Sequence, residues 1–230
     1  MMRKRKSNLS KLSGGLLVGL GYFAMLRPWY QNWGSQGFEK EMSLPGDTVI
    51  PVPSAVINRS IQINAAPEKV WPWLVQIGYG RAGWYSYDNL EAAVGAGDFL
   101  EGHSSTRIIP ELQDLKVGDF IPAAPEPYLK FEVIHLEQNE ALVLHALINP
   151  FSGKNIRLSD TNTGPWLRQT WCFYLAETND RKTHLIARSR VNFGPALLMQ
   201  PVNWFVVEPA HFIMEQKMLK GLKMRAEKYS

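Results

Sequence analysis

The chain has almost no cysteine, with Cys172 alone among 230 residues. An internal disulfide is excluded, as is a zinc site built from cysteine pairs, so the fold must be held by packing. Cys172 stands in an apolar run between Trp171 and Phe173, the setting of a small buried hydrophobe rather than a nucleophile. His103, His135, His145, His184 and His211 include no i, i+4 pair, so the helical spacing of metal ligands is missing too. There is no Gly-x-Ser-x-Gly, no phosphate-binding loop and no dinucleotide fingerprint. No metal or cofactor is expected. Asp98, Glu101 and His103 lie close together, but in a Gly-rich loop that reads as simply polar.

Acidic residues are missing from the first twelve positions, which hold Arg3, Lys4, Arg5, Lys6 and Lys11. The remainder carries 20 basic against 21 acidic side chains, so the formal charge of +4 belongs to the tail. A nucleic-acid partner would need a basic face on the folded domain, and none is read here. With 45% hydrophobic residues the body can bury a substantial core.

The basic tail precedes an apolar stretch, Leu12 to Leu26, too short to cross the ~30 Å hydrocarbon core of a bilayer as a helix. Trp29 and Tyr30 beyond it suit a membrane interface. Three readings fit residues 1–30: an uncleaved membrane anchor, a cryptic secretory signal, and an N-terminal helix packed on the protein. A membrane-associated protein with a single-pass anchor is the first expectation, a cytoplasmic one the alternative. Residues 31–54 are polar and turn-rich and read as a linker or extended arm, leaving 55–230 as the folded domain.

Within that domain Val56 to Ile63 alternates as a strand. Pro67 suits the first turn of a helix with Val70, Leu74 and Ile77 on one face, and Pro72 should shorten or bend it. A second short helix is predicted from about Tyr87 to Val94, capped by Ser86. The pattern then turns all-β, with strands predicted at 117–121, 128–136, 141–148, 166–176 and 183–193. A long helix follows from about Pro201 to Lys228, which Pro209 should break or kink. This order predicts an α+β fold, a curved antiparallel sheet wrapped around the long C-terminal helix with a pocket where the two part.

Several runs carry a family resemblance: Leu44-Pro-Gly-Asp47, Ala66-Pro-Glu-Lys-Val-Trp-Pro-Trp through Gly-Trp-Tyr-Ser-Tyr-Asp88, Leu115-Lys-Val-Gly-Asp119, Thr183 to Arg190 and Met214 to Glu227. Over roughly residues 40–228 the chain resembles the START-like superfamily, the polyketide cyclase/dehydrase and lipid transport (SRPBCC) group, in an uncharacterised bacterial subgroup. The resemblance implies a helix-grip fold around an apolar cavity. It implies binding or transport of a hydrophobic, lipid-like or aromatic small molecule. The alternatives are an enzyme of the cyclase or hydrolase kind, or an envelope assembly module.

The candidate ligand contacts are read from residue type and position. Arg81, after Gly78 and Gly80, is a cationic fork for an anion at the cavity mouth, or else a partner of Asp88 or of the preceding helix end. Asp88 is a ligand contact or general base, or else a helix-start carboxylate. Trp84 and Tyr85 are cavity wall or core. Trp171 and Phe173 share the inward face of one strand, and Met214 lies on the long helix. Arg190 shares a face with His184, Ile186 and Arg188 that is ordinarily solvent-exposed. It is retained as an anion contact because the opposite face is less bulky than a core face should be.

Overall fold

A computed structural model of the chain describes residues 19–93 and 97–228. Seven strands form one antiparallel sheet: β1 (Ala55–Ile63), β2 (Phe120–Pro122), β3 (Lys130–Glu137), β4 (Ala141–Asn149), β5 (Lys154–Asn155), β6 (Trp166–Glu177) and β7 (Thr183–Gly194). Their order is β1-β7-β6-β4-β3-β2, with β5 beside β4. Three inner strands bring the apolar alternation of their sequences to one face, where Leu142, Leu144, Trp171, Phe173, Leu185 and Ala187 are buried in one core. The long helix, residues 196–228, grips this face through Met218, Leu219, Leu222 and Ala226. This is the helix-grip architecture that the START-like resemblance implies.

The Pro67–Val75 helix begins with Pro67, which needs no N–H there, and tolerates Pro72 within nine residues. The predicted strand at 117–121 is shorter than expected, because Gly118 takes φ +94 and the backbone turns there before β2 begins. The predicted end of the second short helix at Val94 falls outside the described residues, and Asp88–Ala93 is helical.

Two expectations need correction. The long helix begins at Ala196, not Pro201, and Pro209 does not break it. Residues Asn203–Val207 form a π-helical turn in which Glu208 N–H bonds Asn203 O. The widened turn absorbs the missing donor and the bulk of the Pro209 ring, and the helix runs on. The N-terminal segment has the same arrangement: a π-turn at Tyr22–Leu26 lies just before Pro28, inside one helix over residues 19–31. That helix packs on the long helix through Tyr22 and Phe205, stacked at 5.3 Å, and through Phe23 against Trp204. Among the described residues no helix is long and apolar enough to cross a membrane. The anchor expected over residues 12–30 falls partly outside them.

Residues 31–54 close over the outer face of the sheet. Arg188 donates to Asn58 Oδ1 (2.8 Å), Met42 O (2.7 Å), Asp47 Oδ2 (2.8 Å) and Glu39 O. Glu39, fully buried, meets His184 Nε2 at 2.6 Å. Leu44 completes a small outer core with Val143, Cys172 and Ile186. Burial there pushes the Cys172 thiol up to about 12, which keeps it protonated and unreactive.

On the inner side, the long helix packs tightly on the Gly78–Tyr85 turn at Gly221. A β-carbon at that position would meet the carbonyl oxygen and β-carbon of Tyr85. Gly221→Ala should destabilise the protein by about 1–3 kcal/mol through overpacking. Thermal unfolding checks this, with Met224→Ala on the exposed side of the same helix as a control of small effect.

Candidate functional site

The sheet and the long helix part near the π-turn and leave a cavity of about 480 Å³. Its walls are Trp84, Ala123, Leu129, Phe131, Trp171, Val206, Val207, Ala210, Met214 and Met218, and its polar groups are Ser86, Glu91, His211 and Glu215. Trp84 and Trp171 stack at 5.8 Å, and Phe131 closes on both at 6.1 and 5.7 Å. The aromatic wall arises because β3 and β6 each turn an aromatic inward at neighbouring places, and Trp84 enters from the glycine turn.

A buried ionic network lies behind this wall. Arg59, on β1, pairs with Glu215 of the long helix, and both are essentially free of solvent. The Arg59 Nε donates to Tyr30 O at 2.7 Å, and its Nη1 donates to His211 Nδ1 at 3.1 Å. Trp171 Nε1 donates to the second Glu215 oxygen at 2.6 Å. Since Arg59 can only donate, His211 Nδ1 accepts and the ring proton sits on Nε2. That N–H is out of contact with solvent and has no partner among the described residues. Burial is the main cause that pushes the His211 pKa down to about 4, with Arg59 adding to it and Glu215 opposing, so the ring is neutral at physiological pH.

Arg59 Nη2 also has no partner among the described residues, and Glu91 is a further unpaired group. It projects from the Asp88–Ala93 helix, is 2% exposed, and neither carboxylate oxygen has a partner among the described residues. Burial first, and the nearby Asp88 charge second, push its pKa up to about 7. The cavity thus holds a neutral donor, His211, and an acid near half-ionisation, Glu91, in apolar surroundings. Such displaced titrations mark functional sites more often than ordinary core.

Of the residues singled out from sequence, Trp84, Trp171 and Met214 line this cavity. Arg81 does not. Its Nε and Nη2 donate to Ile77 O and Val75 O, both at 2.9 Å, so the guanidinium closes the open carbonyl end of the Pro67–Val75 helix. Asp88 accepts from Ser104 N–H (2.9 Å) and Ser104 Oγ (2.6 Å), which braces the following loop and leaves it no role as a base in the cavity. Ser86 does not cap that helix, because its hydroxyl donates to Met214 O at 3.1 Å. Tyr85 is buried with its hydroxyl accepting from Gln76 Nε2 at 2.7 Å, and Phe173 is wholly core. Arg190 lies on the outer face, donating to Ile50 O (2.9 Å) and Pro51 O (3.1 Å) of the covering arm. That face is therefore not free to take an anion through Arg190.

Sequence reasoning missed Glu91, Glu215 and His211 as site groups. Glu91 sits in a short Asn-Leu-Glu-Ala-Ala run with nothing to mark it as inward. Glu215 and His211 stand four apart, and that spacing puts them on one helix face, a legible signal. Among the described residues no group of three His, Cys, Asp or Glu is placed to hold a metal.

No family model matches the chain, and no curated protein matches it. Solved structures do align. One is a protein from Mesorhizobium loti, with 15% identity, TM-score 0.45, and coverage of 76% of this chain and 99% of its own. Another is the Aha1 dimer from Colwellia psychrerythraea, with 19% identity, TM-score 0.35, and coverage of 76% and 97%. A third is norcoclaurine synthase from Thalictrum flavum in complex with dopamine and hydroxybenzaldehyde, with 10% identity, TM-score 0.37, and coverage of 82% and 96%. At these values none of them bears on ligand or chemistry.

The raised pKa of Glu91 has a consequence for stability. An acid whose folded pKa lies above its unfolded value stabilises least when ionised, so its contribution falls as pH rises from the ordinary carboxylate range through about 7. Glu91→Gln should therefore gain stability relative to the parent between about pH 5 and about pH 8. Urea unfolding of both proteins across that range checks it; a flat difference would mean that Glu91 is not a buried neutral acid.

Proposed function

We propose that this domain binds a hydrophobic small molecule, lipid-like or aromatic, in the cavity between the sheet and the long helix. The observation that carries the reading is the cavity itself: about 480 Å³, walled almost wholly by aromatic, aliphatic and methionine side chains. Its size lies in the range of small-molecule sites. Apolar contact at roughly 25 cal/mol per Å² supplies the affinity, and the Met214 and Met218 thioethers adapt the wall to ligand shape. Ala210 stands at the solvent side of the cavity, so Ala210→Trp should fill it from the mouth. The expected result is at least a tenfold weaker affinity for the neutral apolar dye N-phenylnaphthylamine at an unchanged melting temperature. Dye binding unaffected by the plug would place the ligand elsewhere.

The mouth of the cavity supports a peripheral rather than spanning contact with an anionic lipid surface. Val206 lines the cavity and is exposed, beside exposed Phe205, Leu198 and Leu197 on the long helix. The packed N-terminal helix adds exposed Phe23, Met25, Leu26 and Trp29 to the same helix pair. Residues 195–207 contain no charged side chain, and the basic run Arg3 to Lys6 precedes the N-terminal helix in the chain. An apolar face joined to a basic segment matches the chemistry of interfacial binding. The full chain should co-sediment with phosphatidylglycerol vesicles more than with phosphatidylcholine ones, and Phe205→Glu should remove most of that binding. If Phe205→Glu instead converts a dimer to a monomer, the face belongs to a second copy of the chain.

A further inference from the structure

Among its described lining residues the cavity described above has two acidic side chains and no lysine or arginine. Its polar lining comprises Ser86, Glu91, His211 and Glu215, and neither Lys nor Arg is among the described lining residues. Glu215 is consumed by Arg59 and by Trp171 Nε1. The Ser86 hydroxyl is bonded to Met214 O. Glu91 is left, at 2% exposure, with two carboxylate oxygens that have no partner among the described residues. A buried carboxylate with no donor is a costly arrangement, and native interiors retain few of them.

Resting on the reading of the cavity as a hydrophobic-ligand site, we propose that the ligand is a cationic amphiphile, an apolar molecule whose protonated amine is seated on Glu91. The amine supplies the missing donors and the missing charge together. The stacked rings of Trp84, Trp171 and Phe131 give the cavity π-faces that also favour a cation. His211 offers no opposition, because Arg59 fixes its proton on Nε2 and the ring stays uncharged.

The charged groups around Glu91 are consistent with this choice. Asp88 on its own helix is a second carboxylate and adds negative potential. From the long helix, Glu215 and His211 face the cavity, Lys217 places its Nζ 5.7 Å over the outer ring of Tyr87, and Arg225 lies 4.1 Å over Tyr85. Neither of these two cations is among the described lining residues. Seating an ammonium would hold Glu91 ionised, so amine binding should tighten as pH rises through about 7, while a primary alkylamine remains protonated to about 10.

A matched series tests the head group against one tail: decylamine, decanol and decanoate displacing N-phenylnaphthylamine from the full-length protein. Decylamine should bind at least tenfold more tightly than decanol at about pH 8, with decanoate weakest. The amine-to-alcohol ratio should shrink severalfold at about pH 5.5, as Glu91 takes up a proton. In Glu91→Gln the ratio should fall to near one. If all three compounds fail to displace the dye, the hydrophobic cavity reading is wrong. If decanol or decanoate matches decylamine, or the ratio survives Glu91→Gln, the cavity reading stands and the amine proposal is overturned. The pH series on the parent protein keeps the test decisive should the variant fold poorly.

Discussion

The buried Arg59–Glu215 pair determines how the long helix sits on the sheet. Both side chains are out of water, so the pair carries a large desolvation cost, which the hydrogen bonds around it offset. Arg59 bonds Glu215, His211 and the Tyr30 carbonyl, with its Nη2 left without a partner among the described residues, and Glu215 accepts from Arg59 and Trp171. Four segments are thereby joined: the N-terminal helix, β1, β6 and the long helix. Sliding the helix by one turn would strand two charges in the interior. The pair therefore acts on geometry, because it fixes which helix residues face the sheet and which proton His211 carries into the cavity.

The same device appears at two further places. Arg27 meets Glu208 through two bonds of 2.8 Å, and Glu208 also takes donors from Tyr30, Gln31 and Asn203. Arg188 meets Asp47 and the carbonyls of the arm. At these three centres Glu215, Glu208 and Asp47 are each matched to an arginine from a distant part of the sequence, in a chain whose one cysteine cannot crosslink it. The guanidinium suits this work because its planar donors reach several acceptors at once. Loops and helix ends that would otherwise drift are placed by these three centres.

Much of the fold was legible, for reasons that can be located. The β3–β4 and β6–β7 hairpins follow from alternation and from polar turns at Gln138-Asn139 and Asn179-Asp180. The starting Pro67 is a strong local signal. What remained hidden depends on partners far away in sequence. The face bearing His184, Arg188 and Arg190 reads as wet, since nothing within β7 reveals that residues 39–51 will cover it. The long helix is harder still: Glu208, Glu215 and Arg225 interrupt its inward stripe, so its apolar periodicity is weak although the helix is at the centre of the structure. Pro209 was misjudged because a proline predicts a lost hydrogen bond but not the π-turn that accommodates it.

The candidate site was less legible than the fold, and the reason is the difference between satisfied and unsatisfied polar groups. Arg81 and Asp88 attract attention in the sequence because they sit in a glycine-rich, aromatic turn. In the folded chain both are engaged by internal partners, and the glycines serve the turn itself. Glu91 attracts no attention in the sequence, yet it ends with no partner for either oxygen among the described residues. A residue type announces which bonds it can make, whereas function depends on which bonds the fold leaves unmade. Since an unpaired buried acid costs stability, a well-packed core would replace it with an apolar side chain of the same volume. Its place in the lining of an aromatic cavity, where the His211 Nε2–H also has no partner among the described residues, is the arrangement expected where a bound molecule completes the hydrogen bonding.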